Sequence, residues 1–148
     1  MIRQRFTYEE LLTLRQSEAY DPIRAALHER HWQEVGRQTL GDMEIVQWTP
    51  PDADATITVE HGPGYDASLI YQTPDAAAYK TLTNPIDLQA FKRQAERESQ
   101  AYTCQGYRAG DEMLILAQPR AGVDRPYTVI LTTLNNFDAL WFESEYLT

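Results

Sequence analysis

The sequence has a single cysteine, Cys104, so the chain can form no internal disulfide and no zinc site built from several cysteines. No apolar run approaches the roughly 18 residues needed to cross a bilayer. The first ten residues, MIRQRFTYEE, lack the apolar core of a signal peptide. We therefore expect a cytoplasmic protein, and 148 residues are enough for one domain (1–148) with an ordinary hydrophobic core.

Positive charge is scarce beyond residue 40. Residues 1–40 carry six basic and six acidic side chains, whereas residues 41–148 carry seven basic and sixteen acidic ones, so the net charge of −9 arises entirely there. Binding to nucleic acid or to an anionic membrane needs clustered cations, so neither is expected as a direct partner. A protein with a basic surface is compatible with this charge, although an acidic surface also serves solubility alone.

The sequence also lacks the motifs of common cofactor and metal sites. No glycine-rich loop has the spacing that cradles phosphates, and no serine lies in a nucleophile elbow. His28 and His31 share a predicted helix face with Glu34, but a metal site needs further ligands in fixed geometry. We therefore predict no cofactor and no metal, and we interpret Cys104 as a buried structural thiol.

Two helix starts are present near the N-terminus. Thr7 and Glu10 have the spacing of a capping box, which predicts a helix over about residues 8–15. Asp21, followed by proline, has the form of a second helix cap. This second helix is expected to end before Gly36.

Six segments have the composition of β-strands. The clearest are Met113–Ala117 and Tyr127–Leu131, whose continuous apolar runs indicate paired central strands covered on both faces. The other strands are predicted over residues 44–48, 55–60, 67–72 and 102–108. A short helix that ends near Leu82 is expected to follow the third strand.

A central helix is predicted over about residues 85–101. Asn84-Pro85-Ile86-Asp87 resembles a capped start, and apolar residues recur after it at helical spacing, which should place one face on the sheet. The C-terminal residues 137–147 fit either a strand after an Asn135-Asn136 turn or a helix capped by Asn136. The helix is favoured.

These elements predict an α+β fold with N-terminal helices and a mostly antiparallel sheet of five to six strands, on which the central helix packs. The element order, acidic balance and length resemble those of small dimeric secretion chaperones and of phage-encoded or immunity-type inhibitors. This resemblance covers organisation only, and the order of elements does not transmit function. Independently of it, a homodimer is an open alternative for the assembly of the chain. The paired N-terminal helices and the strand after Arg125 depart from the chaperone pattern.

The loop from His61 to Asp66 is the candidate for a catalytic or ligand-binding site. It places the imidazole of His61 near the phenol of Tyr65 and the carboxyl group of Asp66, and loops on a rigid scaffold often carry function. The intervening Gly62-Pro63-Gly64 equally predicts a simple hairpin turn.

The acidic C-terminus is the candidate partner-binding surface. Exposed aromatic side chains surrounded by acids would suit a basic protein surface, although the same rings could pack on this chain's own sheet. The residues concerned are Asp138, Trp141, Phe142, Glu143, Glu145 and Tyr146.

Three functions remain open at this point. The favoured one is a non-enzymatic protein that binds and occludes or sequesters a basic protein, as an inhibitor, adaptor or chaperone does. A small enzyme or ligand-binding domain centred on His61 is the alternative, and a structural subunit of a homo-oligomer is the third.

Overall fold

The computed structural model describes residues 5–17 and 19–148. Its α-helices are α1 (Tyr8–Arg15), α2 (Tyr20–Glu29), α3 (Ala76–Thr83) and α4 (Leu134–Asp138). Its strands are β1 (Gln33–Leu40), β2 (Met43–Thr49), β3 (Thr56–Gly62), β4 (Tyr65–Thr73), β5 (Lys92–Glu98), β6 (Tyr102–Ala109), β7 (Glu112–Pro119) and β8 (Tyr127–Thr133). A 3₁₀ turn, Leu88–Ala90, precedes β5, and α4 continues into a π turn, Ala139–Glu143, and a 3₁₀ turn, Glu145–Leu147.

All eight strands form one antiparallel sheet in the order β1-β2-β3-β4-β8-β7-β6-β5. The chain makes two four-stranded meanders, which join where β4 pairs with β8. The predicted pairing of the two apolar runs is confirmed, with Leu114 opposite Leu131 and Ile115 opposite Ile130. The edges of the sheet are therefore β1 and β5.

The centre of the sheet is covered on both faces, which explains the continuous apolar runs of its central strands. On one face, alternate residues such as Leu114 and Val129 pack with Leu11 of α1 and Ile23 of α2. The opposite face carries the other set of alternate residues, including Ile115, beneath the C-terminal helical segment, residues 134–147. We call these two sides the helix face and the C-terminal face.

Helix α1 begins as the sequence predicts. The Thr7 hydroxyl accepts a hydrogen bond from the Glu10 amide at 3.2 Å, and the Glu10 carboxylate accepts one from the Thr7 amide at 2.9 Å. The start of α2 differs from the prediction, because the helix begins one residue before Asp21. Ala19 occupies the cap position without a side-chain bond, and Asp21 lies in the first turn.

The prediction of a central helix over residues 85–101 is wrong. These residues form the 3₁₀ turn and β5, whose Arg97 lies opposite Cys104 of β6. The spacing of Leu88, Phe91 and Ala95 matches a helical stripe by coincidence. An edge strand pairs with only one neighbouring strand, and charged side chains are common on such strands because they prevent a further strand from pairing with the free edge. The composition KRQAERE therefore does not exclude a strand.

The predicted count of five to six strands is also wrong, because the sheet has eight. Besides β5, the sequence reading missed β1, whose residues are almost all exposed and therefore show no apolar alternation. The chain enters β1 after α2 ends at Glu29, and His31 turns it with a φ of 66°. The C-terminal segment is helical, as favoured, but α4 begins at Leu134 rather than after Asn136.

A buried ion pair joins α1 to the centre of the sheet. The Arg15 guanidinium bonds the Glu112 carboxylate at the start of β7 and also donates to the Ala67 carbonyl oxygen at 3.3 Å. Arg15 is only 8% exposed, so its charge is largely removed from water. Such a charge is tolerated only while its partners stay in place.

We therefore expect Arg15→Met to lower the free energy of unfolding by about 3 kcal/mol, because it leaves the Glu112 charge without its cation. Urea denaturation followed by circular dichroism measures this loss. The exposed Arg24→Met on α2 is the matched control and should change stability by less than about 0.5 kcal/mol. Equal losses in both variants would show that the ion pair contributes nothing specific.

Candidate functional site

A groove opens on the C-terminal face of the sheet. The C-terminal helical segment packs across β4, β8 and β7, and its Tyr146 reaches Glu60 of β3. The same face of β1 and β2 is covered less, since Leu40 is exposed and Met43 and Ile45 are only half-buried. The space between these outer strands and the segment has a volume of about 600 Å³. We call it the acidic groove.

The groove combines an apolar lining with carboxyl groups of one sign. Its apolar lining residues include Leu40, Met43, Ile45, Tyr65 and Leu140. Its acidic residues are Glu60, Asp66, Glu143 and Glu145. Because no Lys, Arg or His belongs to the lining described, the groove presents uncompensated negative charge beside apolar surface.

Glu60 lies deepest among these acids. Strand alternation turns it to the groove, since its neighbours Val59 and His61 belong to the helix face. The Tyr146 hydroxyl donates a hydrogen bond to its carboxylate at 2.8 Å. Burial raises the pKa of Glu60, and the bond from Tyr146 partly opposes this rise. Glu60 was not among the residues predicted from the sequence.

Asp66 fastens the β3–β4 hairpin to the C-terminal segment. Its carboxylate accepts a hydrogen bond from the Thr133 hydroxyl at 2.8 Å, and its carbonyl oxygen accepts one from the Asn136 amide group at 2.9 Å. Nearby, the hydroxyls of Ser68 and Thr132 lie 2.8 Å apart. These bonds hold together the two elements that form the acidic groove.

His61 lies on the other side of the sheet from Tyr65 and Asp66. Its ring stacks on Tyr20 of α2, with centroids 4.1 Å apart, and Nε2 lies 3.9 Å from the Glu44 carboxylate. Burial lowers the pKa of His61. The residues read as a loop belong to two strands joined at a two-residue turn, so the structure does not gather the three predicted catalytic residues in one cavity.

The predicted C-terminal surface is divided between the core and the groove. Trp141 is only 4% exposed and stacks on Phe137 at 5.2 Å, and its carbonyl oxygen accepts a hydrogen bond from Arg97 at 2.6 Å. Phe142 is 69% exposed, and Asp138 is also exposed. The remaining three predicted residues, Glu143, Glu145 and Tyr146, line the acidic groove.

The other candidate residues lie in structural positions. The His28 ring packs edge-on against Trp48 at 5.5 Å. Within residues 5–17 and 19–148, no group of three or more His, Cys, Asp or Glu side chains is arranged to hold a metal. Cys104 is buried, and burial raises the pKa of its thiol. No helix in the described part of the chain is both long and apolar enough to cross a membrane.

Comparison of the chain with protein-family models, with curated proteins and with solved structures finds no match in any of the three. The function of the groove must therefore be argued from its own chemistry.

The first test concerns the electrostatics of Glu60. The pKa of Glu60 is raised in the folded state. Ionisation of Glu60 therefore lowers the stability of the fold as the pH rises from the ordinary glutamate pKa, near 4.3, through the pKa of the folded state. We expect carbon NMR titration to give a Glu60 pKa above that ordinary value. Tyr146→Phe should raise it further, because the hydrogen bond from Tyr146 favours the charged form.

The corresponding stability measurement uses Glu60→Gln. The stability of this variant relative to the unmodified chain should increase from pH 4 to pH 7, because the substitution removes the cost of ionising Glu60. The opposite slope would mean that the carboxylate is better solvated in the folded protein than in the unfolded chain.

Proposed function

We propose that this chain is a cytoplasmic, non-enzymatic protein that binds a basic, extended segment of another protein in the acidic groove and thereby occludes it. The observation that carries this proposal is the pairing of four carboxyl groups with an apolar lining that includes no cationic side chain. Lys and Arg side chains suit such a site because they have an apolar stem and a charged end.

The groove can contact both parts of such a side chain. The stem would lie on Leu40, Met43 and Ile45, and the charged end would reach Glu60 or the acids of the C-terminal segment. A hydrogen bond between two charged groups is roughly twice as strong as a neutral one, and partial burial reduces its screening by salt. The net charge of −9 would also speed the encounter with a basic partner.

The edge of the sheet supports an extended partner. Strand β1 has no neighbour on its outer side within the described sheet, and its Gln38 and Leu40 also line the acidic groove. A partner segment that pairs with β1 would place alternate side chains over the groove, as in β-strand addition. The other edge, β5, is rich in charged residues, which disfavour such pairing.

The C-terminal segment would contribute to the same surface. Glu143 and Glu145 provide charge, Tyr146 supports Glu60, and the exposed ring of Phe142 adds apolar area next to the groove. Asp138 adds charge outside the groove lining. The role of the buried Trp141 would be to hold this segment on the sheet rather than to touch a partner.

We test the proposal with a double charge reversal, Glu143→Lys with Glu145→Lys. The probe is a short peptide of alternating lysine and valine, and fluorescence anisotropy measures its binding. We expect the peptide to bind the unmodified chain, and its affinity for the variant to be at least about tenfold lower. The loss should persist at physiological salt, because part of the interaction is shielded from solvent.

The matched control changes the net charge equally at a distance from the groove. Glu29 on α2 and Asp124 in the β7–β8 connection are both exposed, and Glu29→Lys with Asp124→Lys preserves every groove residue. We expect this control to lose affinity mainly at low salt. Equal losses in both variants at both salt concentrations would reject the groove as the binding site.

A further inference from the structure

A second cavity lies on the helix face, so the sheet separates it from the acidic groove. It has a volume of about 610 Å³ and lies between the start of α1, the helix α3 and the loop that follows β2. Four aromatic rings contribute to its lining, from Phe6, Tyr8, Trp32 and Tyr71. Trp32 and Tyr71 are 3% and 9% exposed, so these two rings belong to the packed core rather than to a mobile surface. We call this cavity the aromatic pocket.

The charged side chains of the aromatic pocket are mainly acidic. Its lining includes Glu9, Asp52, Asp54 and Asp75, with Arg5 as the one cationic residue among those described. The helix α3 does not offer an anion site here, because the Asp75 carboxylate already accepts the Ala77 amide hydrogen bond at 2.9 Å. The local charge therefore disfavours carboxylate and phosphate ligands and favours cations.

Arg5 shows how a cation sits at this pocket. Its guanidinium forms an ion pair with Asp54 and lies 3.9 Å from the Asp52 carboxylate. The Arg5 side chain is 57% exposed, so the pair is screened by water and contributes little to stability. A ligand cation could therefore replace the guanidinium at small cost.

We propose that the aromatic pocket binds a small organic cation, an amine attached to an aromatic body, whose charged group takes the place of Arg5 on Asp54 and Asp52. The body would fill the space beside the aromatic rings, and a cavity of this size is within the usual range for small-molecule sites. The face of Phe6 over which the Arg30 guanidinium lies, 4.0 Å from the ring centroid, is already occupied, so the carboxylates supply the attraction for the ligand's charge.

Tyr8 adds a neutral residue to the lining, because burial raises the pKa of its phenol to about 12 and the phenol stays protonated at physiological pH. The pocket thus combines apolar area with negative charge, which together select for an amphiphilic cation.

Isothermal titration of the full chain with tryptamine tests this proposal. Indole-3-acetate has the same ring system with the opposite charge, and indole has no charge. We expect saturable binding of tryptamine, weaker binding of indole and the weakest binding of indole-3-acetate. If tryptamine does not bind, or binds no more tightly than indole-3-acetate, the proposal is overturned.

Variants of the ion pair give a directional test. Arg5→Gln should tighten tryptamine binding by about three- to fivefold, because it removes the competing guanidinium. Asp54→Asn should weaken it by at least the same factor. The control Asp42→Asn removes an exposed carboxyl group outside the aromatic pocket and should have no effect. If the Asp42 variant lost as much affinity for tryptamine as the Asp54 variant, the loss would come from the change in net charge. The role of Asp54 in binding would then be rejected.

NMR distinguishes the aromatic pocket from the acidic groove. Tryptamine should shift the amide signals of Ala77 and Ala78 and the indole signal of Trp32, all of which belong to the pocket lining. The Glu143→Lys/Glu145→Lys variant should bind tryptamine as the unmodified chain does. Shifts confined to the groove residues would overturn the assignment, and this result is independent of whether the groove binds a basic peptide.

Discussion

The central strands β7 and β8 are apolar on both faces, so each face needs its own cover. Helices α1, α2 and α3 supply one cover, and the buried pair of Arg15 and Glu112 connects that layer to the sheet. The other cover is the C-terminal helical segment, residues 134–147, which is too short to span eight strands. Because it packs on the centre of the sheet and reaches β3 only through Tyr146, the same face of β1 and β2 stays largely open beside it. The acidic groove follows from this incomplete cover.

Local sequence signals predicted the parts of the fold that local interactions determine. The capping box at Thr7, the paired apolar runs and the helical C-terminus all depend on neighbours close in sequence. The edge strands β1 and β5 depend instead on pairing with one neighbour strand, and neither has an apolar face of its own. Lys92–Glu98 has no apolar alternation that would indicate a strand. The helical spacing of the apolar residues around it, which arises by chance, therefore favours a helix.

The candidate site could be predicted only in pieces. From the sequence, Tyr65 and Asp66 belong to the hypothesis of a catalytic site, whereas Glu143, Glu145 and Tyr146 belong to that of a partner-binding surface. Hydrogen bonds from Thr133 and Asn136 to Asp66 bring the two groups of residues together. No pattern in the sequence predicts those bonds. Glu60 could not be linked to the site from the sequence, because its partner Tyr146 is 86 positions away. The alternative of a simple hairpin turn over Gly62-Pro63-Gly64 is confirmed, and the two strands that it joins place the side chains of His61 and Asp66 on opposite faces of the sheet.

The acidic residues divide into two groups according to the side chains that bond their carboxylates. On the helix face and at its rim, the carboxylates of Glu112, Glu10 and Asp54 are bonded to arginines within the chain. In the acidic groove, the hydrogen bonds to the carboxylates of Glu60 and Asp66 come from neutral hydroxyls and an amide. A neutral donor offsets less of the cost of a half-buried charge than a cation does, which is why the pKa of Glu60 stays raised. A cation close to Glu60 would offset that cost, whereas a carboxylate on an exposed surface has little such cost to offset.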